Sequence, residues 1–222
     1  MKPMWYLACV GIALTCLASP GCDQKAPEVQ LDAGYFRGSQ YRNDYLGMSL
    51  TLPETWVIQD EEARRQLKRS GQDLVAGDNK NLQAAFEESQ SRSHSLFMVF
   101  QYPLGSPVLC NASIVSGAED VTQSPGIRNG ADFLFHMRRY IESSQMQFTF
   151  GDEVRRETLD GVEFHVQTME LVLPDITVQQ EVYATVRRGY AVTLVLSFGD
   201  EEQKDALHGI LQTLSFSPSS EQ

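Results

Sequence analysis

Cysteine is scarce in this chain and poorly placed for stapling. Of four among 222 residues, Cys9 and Cys16 fall in an apolar leader, Cys22 follows it, and Cys110 stands alone. One remaining thiol cannot build a disulfide framework, so stability has to come from a packed core. Cys110 itself reads either as a nucleophile or redox thiol, or as a small buried hydrophobe. Histidine is equally sparse. His94, His136, His165 and His208 include no pair at the i, i+4 spacing that would set two imidazoles on one helical face, so no metal site is expected. Asp132 and His136 do lie one helical turn apart, which would let a carboxylate orient a ring. Without a nucleophile nearby, a surface helix pair accounts for them. A Gly-x-Ser-x-Gly elbow and a phosphate-cradling glycine loop are both missing. The sequence therefore offers no catalytic residue, no cofactor site and no metal ligand.

Positive charge is also short, with 18 Lys and Arg against 29 Asp and Glu and a net charge of −11. That balance disfavours nucleic acid and anionic lipid headgroups as partners. Long apolar runs are absent too. Residues 4–18 are uncharged and mostly apolar, but a spanning helix needs about 20 such residues. With Lys2 before them and Ser19-Pro20-Gly21-Cys22 after them, they have the order of an export signal. Gly21-Cys22 resembles the end of the lipobox, the motif of bacterial lipoproteins. Ser19 and Pro20 depart from it, which leaves ordinary signal cleavage as the alternative. Residues 1–21 then form a lipoprotein-type signal, Cys22 is the lipidated anchor, and the domain lies on the extracytoplasmic, periplasmic side of a bacterial membrane. Each buried methylene of an acyl chain contributes about 0.8 kcal/mol, so several chains hold a domain on a bilayer.

What is present is ordinary globular material, 42% hydrophobic and 21% charged. Residues 22–40 mix Pro27, Gly34 and Gly38 with scattered charge and no sustained period, which predicts a flexible tether after the anchor. A single domain is expected over 41–217, with a disordered tail at 218–222. Within it the pattern predicts strands at 48–52 and 56–58, helices at 61–75 and 82–88, and a strand at 94–102. In that strand Leu96, Met98 and Phe100 share one face, with Phe97 and Val99 on the other. Residues 104–130 read as loop around a short strand at 112–115. A helix follows at 131–145 with the stripe Phe133, Met137, Tyr140 and Ile141. Four meandering strands come next (148–158, 162–173, 176–187 and 190–198), joined by compact turns at Pro174-Asp175 and Arg188-Gly189. Asp200 caps a closing helix, with Gln203 completing a capping box. The sum is an α+β fold, a three-layer α/β/α sandwich on a mostly antiparallel sheet.

The stretch Tyr45-Leu46-Gly47-Met48-Ser49-Leu50-Thr51-Leu52-Pro53-Glu54-Thr55-Trp56 resembles the opening of the PsbP-like and DcrB-like families. The closing strand Tyr190-Ala191-Val192-Thr193-Leu194-Val195-Leu196-Ser197-Phe198, its capped helix and Leu214-Ser215-Phe216 resemble their end. The resemblance implies the same sandwich, a frequent lipoprotein status, and a role as accessory or assembly factor of a larger complex. The expected function is thus a membrane-anchored, non-catalytic binding factor with an envelope or membrane protein partner. A hydrolase or small-ligand binder with a site assembled only in the fold is one alternative; a structural envelope component is another. Arg64, Arg65, Lys68 and Arg69 fall on one side of the first helix, either as a solvated face with Glu61 pairing to Arg65 or as a docking strip for an acidic partner.

Overall fold

The computed structural model describes residues 31–144 and 146–217. The signal, Cys22, the first part of the expected tether and the 218–222 tail lie outside the described residues. In chain order the elements are β1 (Tyr35–Arg37), β2 (Gln40–Asn43), β3 (Met48–Thr51), β4 (Val57–Ile58), α1 (Glu61–Ala76), α2 (Lys80–Ser89), β5 (Ser93–Phe100) and β6 (Ser113–Asp120). They continue with α3 (Gly130–Glu142), β7 (Phe148–Phe150), β8 (Arg155–Leu159), β9 (Val162–Val172), β10 (Thr177–Arg187), β11 (Tyr190–Phe198), α4 (Glu201–Leu211) and β12 (Ser215–Phe216).

The main sheet runs β4-β5-β6-β11-β10-β9-β7, with β8 also on β9, and its pairings are antiparallel. Its central strands are buried on both faces along most of their length, as strands covered by layers on both sides are. One face carries α1, α2 and α3, with Val75, Phe86, Phe133 and Met137 packed on Val115, Val182 and Val195. The other carries α4, whose Leu207, Ile210 and Leu211 meet Leu194 and Leu196. The α+β class is as expected, and the second outer layer is richer than expected. There α4 shares the face with a four-stranded sheet, β1-β2-β3-β12. Tyr41 anchors that small sheet, fully buried with its ring 4.5 Å from Phe97 and 5.2 Å from Phe36.

The expected boundaries shift in four places. Residues 31–40 belong to the domain rather than to a tether, because Leu31 is buried and Tyr41 Oη donates to Ala33 O at 2.8 Å. Residues 104–130 are less loop than expected, since β6 continues to Asp120 in register with β5 and β11. Its Ser116-Gly117-Ala118 core is small rather than alternating, which hid the strand. A bulge between Ser95 and Phe97 leaves Leu96 as the extra residue of β5. Leu96 therefore joins Phe97 and Val99 in the α4-side core instead of sharing a face with Met98 and Phe100. The fourth shift is at α3, which spans Gly130–Glu142 rather than 131–145. Its first residue, Gly130, presses on the sheet so closely that a Cβ would lie 1.9 Å from Ala184 O.

Candidate functional site

A charged side chain in a strand buried on both faces must find partners across the fold. Glu181 of β10 is that residue, only 5% exposed. On β10 the odd positions face α4, so Glu181 and Tyr183 point to the same side. Register then brings Arg155, Val166 and Tyr183 into one row across β8, β9 and β10. From the helix above, His208 Nε2 meets Glu181 Oε2 at 2.7 Å, and Tyr183 Oη donates to the same oxygen at 3.2 Å. Arg155 Nη2 lies 3.2 Å from Glu181 Oε1, while its Nε donates to Glu157 at 2.8 Å.

The helix that delivers His208 is fixed at its start. Asp200 caps it by accepting from Gln203 N at 2.8 Å. The reciprocal half of the expected capping box is displaced by one residue, since Gln203 Oε1 accepts from Gly199 N rather than from Asp200 N. Gln203 Nε2 also donates to Cys110 O at 3.0 Å, tying α4 to the β5–β6 loop.

Burial alone would push the Glu181 carboxyl up. The His208 hydrogen bond and the Arg155 charge, with smaller help from Tyr183, outweigh it and hold the group below its ordinary value. Tyr183 moves the other way, raised by burial and then by Glu181 and Glu157. Beside the cluster opens a cleft of about 240 Å³, lined by Thr168, Glu170, Gln179, Glu181 and Lys204 with Phe150 at its wall. Among the described residues no hydroxyl or thiol is hydrogen-bonded to His208. The described residues also hold no cluster of three or more His, Cys, Asp or Glu arranged for a metal, and no helix long and apolar enough to cross a membrane.

The residues singled out from sequence are scattered by the fold. The basic set on α1 splits in two. Arg64 turns inward, its Nη1 donating to Leu96 O at 2.7 Å, where it covers a carbonyl of the bulged β5. Lys68 is partly buried beside it, and desolvation lowers its pKa against the opposing charge of Glu119. Arg65 and Arg69 are exposed, with Arg65 paired to Glu61 at 3.0 Å. Helical spacing put the four on one side, but that arc straddles the line between core and solvent. Asp132 does not orient His136. Its Oδ2 accepts from Arg128 N at 2.9 Å, as a helix-start carboxylate does. Cys110 is a buried thiol packed on Gly199, where a Cβ would come 2.8 Å from its own. The cluster that sequence reasoning missed left little signal, since Glu181 follows Gln179 and Gln180 in β10 and reads as part of a polar stretch.

No family model matches the chain. No curated protein matches it either. Solved structures resemble it distantly. Cyanobacterial PsbP (CyanoP) from Synechocystis sp. PCC 6803 aligns with a TM-score of 0.49 at 12% identity, covering 85% of this chain and 99% of that one. LpqN, involved in cell envelope biogenesis of Mycobacterium tuberculosis, aligns with 0.46 at 14% identity, covering 77% and 83%. PA94, a protein of unknown function from Pseudomonas aeruginosa, aligns with 0.43 at 15% identity, covering 55% and 83%. At these values no role passes from them to this chain.

Proposed function

We propose that this chain is an exported, membrane-anchored accessory or assembly factor that binds an envelope protein without catalysing a reaction. The observation that carries the non-catalytic reading is the Glu181 cluster. Its carboxylate oxygens are engaged by His208, Tyr183 and Arg155, and among the described residues no serine, threonine or cysteine is hydrogen-bonded to it. The export signal and Cys22 supply the location. A binding surface is available on the β5–β6 loop, where Leu109 is 75% exposed and Tyr102 and Leu104 stand out beside Pro103 and Pro107. Apolar side chains displayed together on a rigid loop are what a protein interface buries first. Arg65 and Arg69 remain exposed on α1 as a smaller docking strip for an acidic partner.

The test is photocrosslinking in cells with the reactive group at Leu109, followed by detergent extraction and mass spectrometry. One dominant envelope complex is the expected result. Recovery of the protein alone would transfer weight to a small-ligand binder, which the cleft beside Glu181 favours.

A further inference from the structure

The turn between β10 and β11 places two arginines side by side at the end of the main sheet. Arg187 Nε donates to Leu46 O at 2.7 Å and its Nη2 to Ser217 O at 3.0 Å. Arg188, in left-handed backbone at φ 52°, extends its Nη1 to Tyr45 O. Both guanidinium groups are thus held on backbone carbonyls, and among the described residues neither is ion-paired to a carboxylate. Burial first, and the neighbouring Arg188 charge second, hold Arg187 below its ordinary value. Two arginines of β8 in the same main sheet answer to acids: Arg155 to Glu157 and Glu181, Arg156 to Glu163.

They border a cavity of about 390 Å³ whose lining includes Arg42, Asn43, Asp44, Gly47, Ser49 and Arg188. Asp44 is the one carboxylate of that lining, and Arg42 Nε holds it at 2.5 Å. Gly47, at φ 64°, keeps the floor open: a Cβ there would stand 3.1 Å from Ser217 O and 3.4 Å from Arg187 Nη2. Arg42 and Arg188 line the cavity with Asp44, and Arg187 stands behind its floor. Guanidinium donors fixed in a polar recess match the bidentate geometry of phosphate oxygens.

The position of the recess bears on the source of the anion. Asn43, in its wall, donates to Asp32 O at 2.9 Å, so the recess adjoins the segment by which the chain enters the fold. Ten residue steps separate Asp32 from Cys22, a reach of at most about 35 Å. If Cys22 is the anchor, as the proposed function has it, this end of the domain is within reach of the bilayer.

We propose that the recess between the β2–β3 turn and the β10–β11 turn, walled by Arg42, Asn43 and Arg188 and backed by Arg187, binds a phosphate-bearing anion, with a membrane lipid headgroup as the source favoured by the tether. The inference leans on the anchor reading only for that source. It also runs against the expectation, drawn from net charge, that anionic headgroups are excluded, because charge acts locally within a Debye length of about 8–10 Å.

The experiment uses the full chain carrying Cys22→Ser, so that no acyl chain contributes, and two probes. Inorganic phosphate is titrated by NMR, and vesicles of phosphatidylcholine with or without 30 mol% phosphatidylglycerol (roughly physiological charge) are pelleted with the protein. Saturable phosphate binding is expected, weakened about tenfold or more in Arg188→Gln and in Arg42→Gln and unchanged in Arg138→Gln, whose side chain pairs with Glu142 on α3. Thermal melting of each variant separates loss of the site from loss of the fold. Pelleting that depends on phosphatidylglycerol and on Arg188 assigns a headgroup; phosphate binding without pelleting assigns a free anion and keeps the site. Binding of neither probe, or equal binding by both recess variants, overturns the proposal. Should the wild-type chain fractionate as soluble while Arg188-dependent phosphate binding persists, the anchor reading falls and the recess stands.

Discussion

Glu181 illustrates what a single side chain does when the fold surrounds it. A buried carboxylate is costly unless its oxygens are engaged, and three groups from two strands and a helix engage this one. Because its folded pKa is lowered relative to the unfolded chain, it contributes stability that is fully present above the ordinary carboxylate value. As pH falls through that value toward the lowered one, the unfolded state takes up the proton first and the contribution is lost. Thermal melting of the wild type should therefore fall between about pH 5 and pH 3 more steeply than that of Glu181→Gln, which has no proton to gain. At neutral pH the same substitution should cost about 1–3 kcal/mol, since Arg155 and His208 lose a charged acceptor. Parallel pH–melting curves for the two proteins would show that Glu181 does not carry this linkage. In the sequence Glu181 follows Gln179 and Gln180 and reads as part of a polar stretch. Its partners were no more legible, because His208 lies 27 residues away and pairing depends on where α4 crosses the sheet.

At the scale of elements, legibility followed amphipathic period. The stripes of α3 and α4 and the long runs of β9 to β11 are dense enough in apolar residues to announce their type, and their bounds differ from the expected ones by a few residues. Strands β1, β2 and β12 are three, four and two residues long, too short for any period to accumulate. In β2 one of the two inward positions is Asn43, whose Nδ2 reaches Asp32 O and whose Oδ1 accepts from Leu46 N at 2.8 Å. A fully buried asparagine that builds a turn reads in sequence as a solvated one. Close approach between elements is equally silent until the structure is known, and two glycines make the contrast measurable. Gly130 at the start of α3 has no room for a methyl group beside Ala184 O, so Gly130→Ala must lift the helix and should destabilise by about 1–3 kcal/mol. Gly209, on the exposed side of α4, has nothing within 4 Å of a Cβ, so Gly209→Ala should stabilise by about 0.4–1 kcal/mol through helix propensity. Chemical denaturation reads both signs, and equal signs would contradict the packing described for α3.

For the whole molecule the layered core and the chain's point of entry together suggest an orientation. Leu31 and Asp32 enter beside the β10–β11 turn, while the exposed Leu104 and Leu109 sit on the β5–β6 loop. Register places those two turns at opposite ends of the main sheet, since Arg187 pairs with Tyr190 at one end and Phe100 with Ser113 at the other. A domain tethered through its first residues would then turn its basic recess to the bilayer and its apolar loop away from it, toward a partner. The two membrane contacts differ greatly in strength. A recess holding one headgroup at millimolar affinity contributes about 4 kcal/mol, whereas acyl chains of some fifteen methylenes each contribute about 0.8 kcal/mol per methylene. Residence at the membrane should therefore depend on Cys22 and not on the arginines. Cys22→Ser is expected to move the protein from the membrane pellet to the soluble fraction, and Arg188→Gln with Cys22 intact is expected to leave it in the pellet. Unchanged pelleting of Cys22→Ser in high salt and alkaline carbonate, which together strip headgroup contacts and peripheral protein contacts, would overturn the anchor.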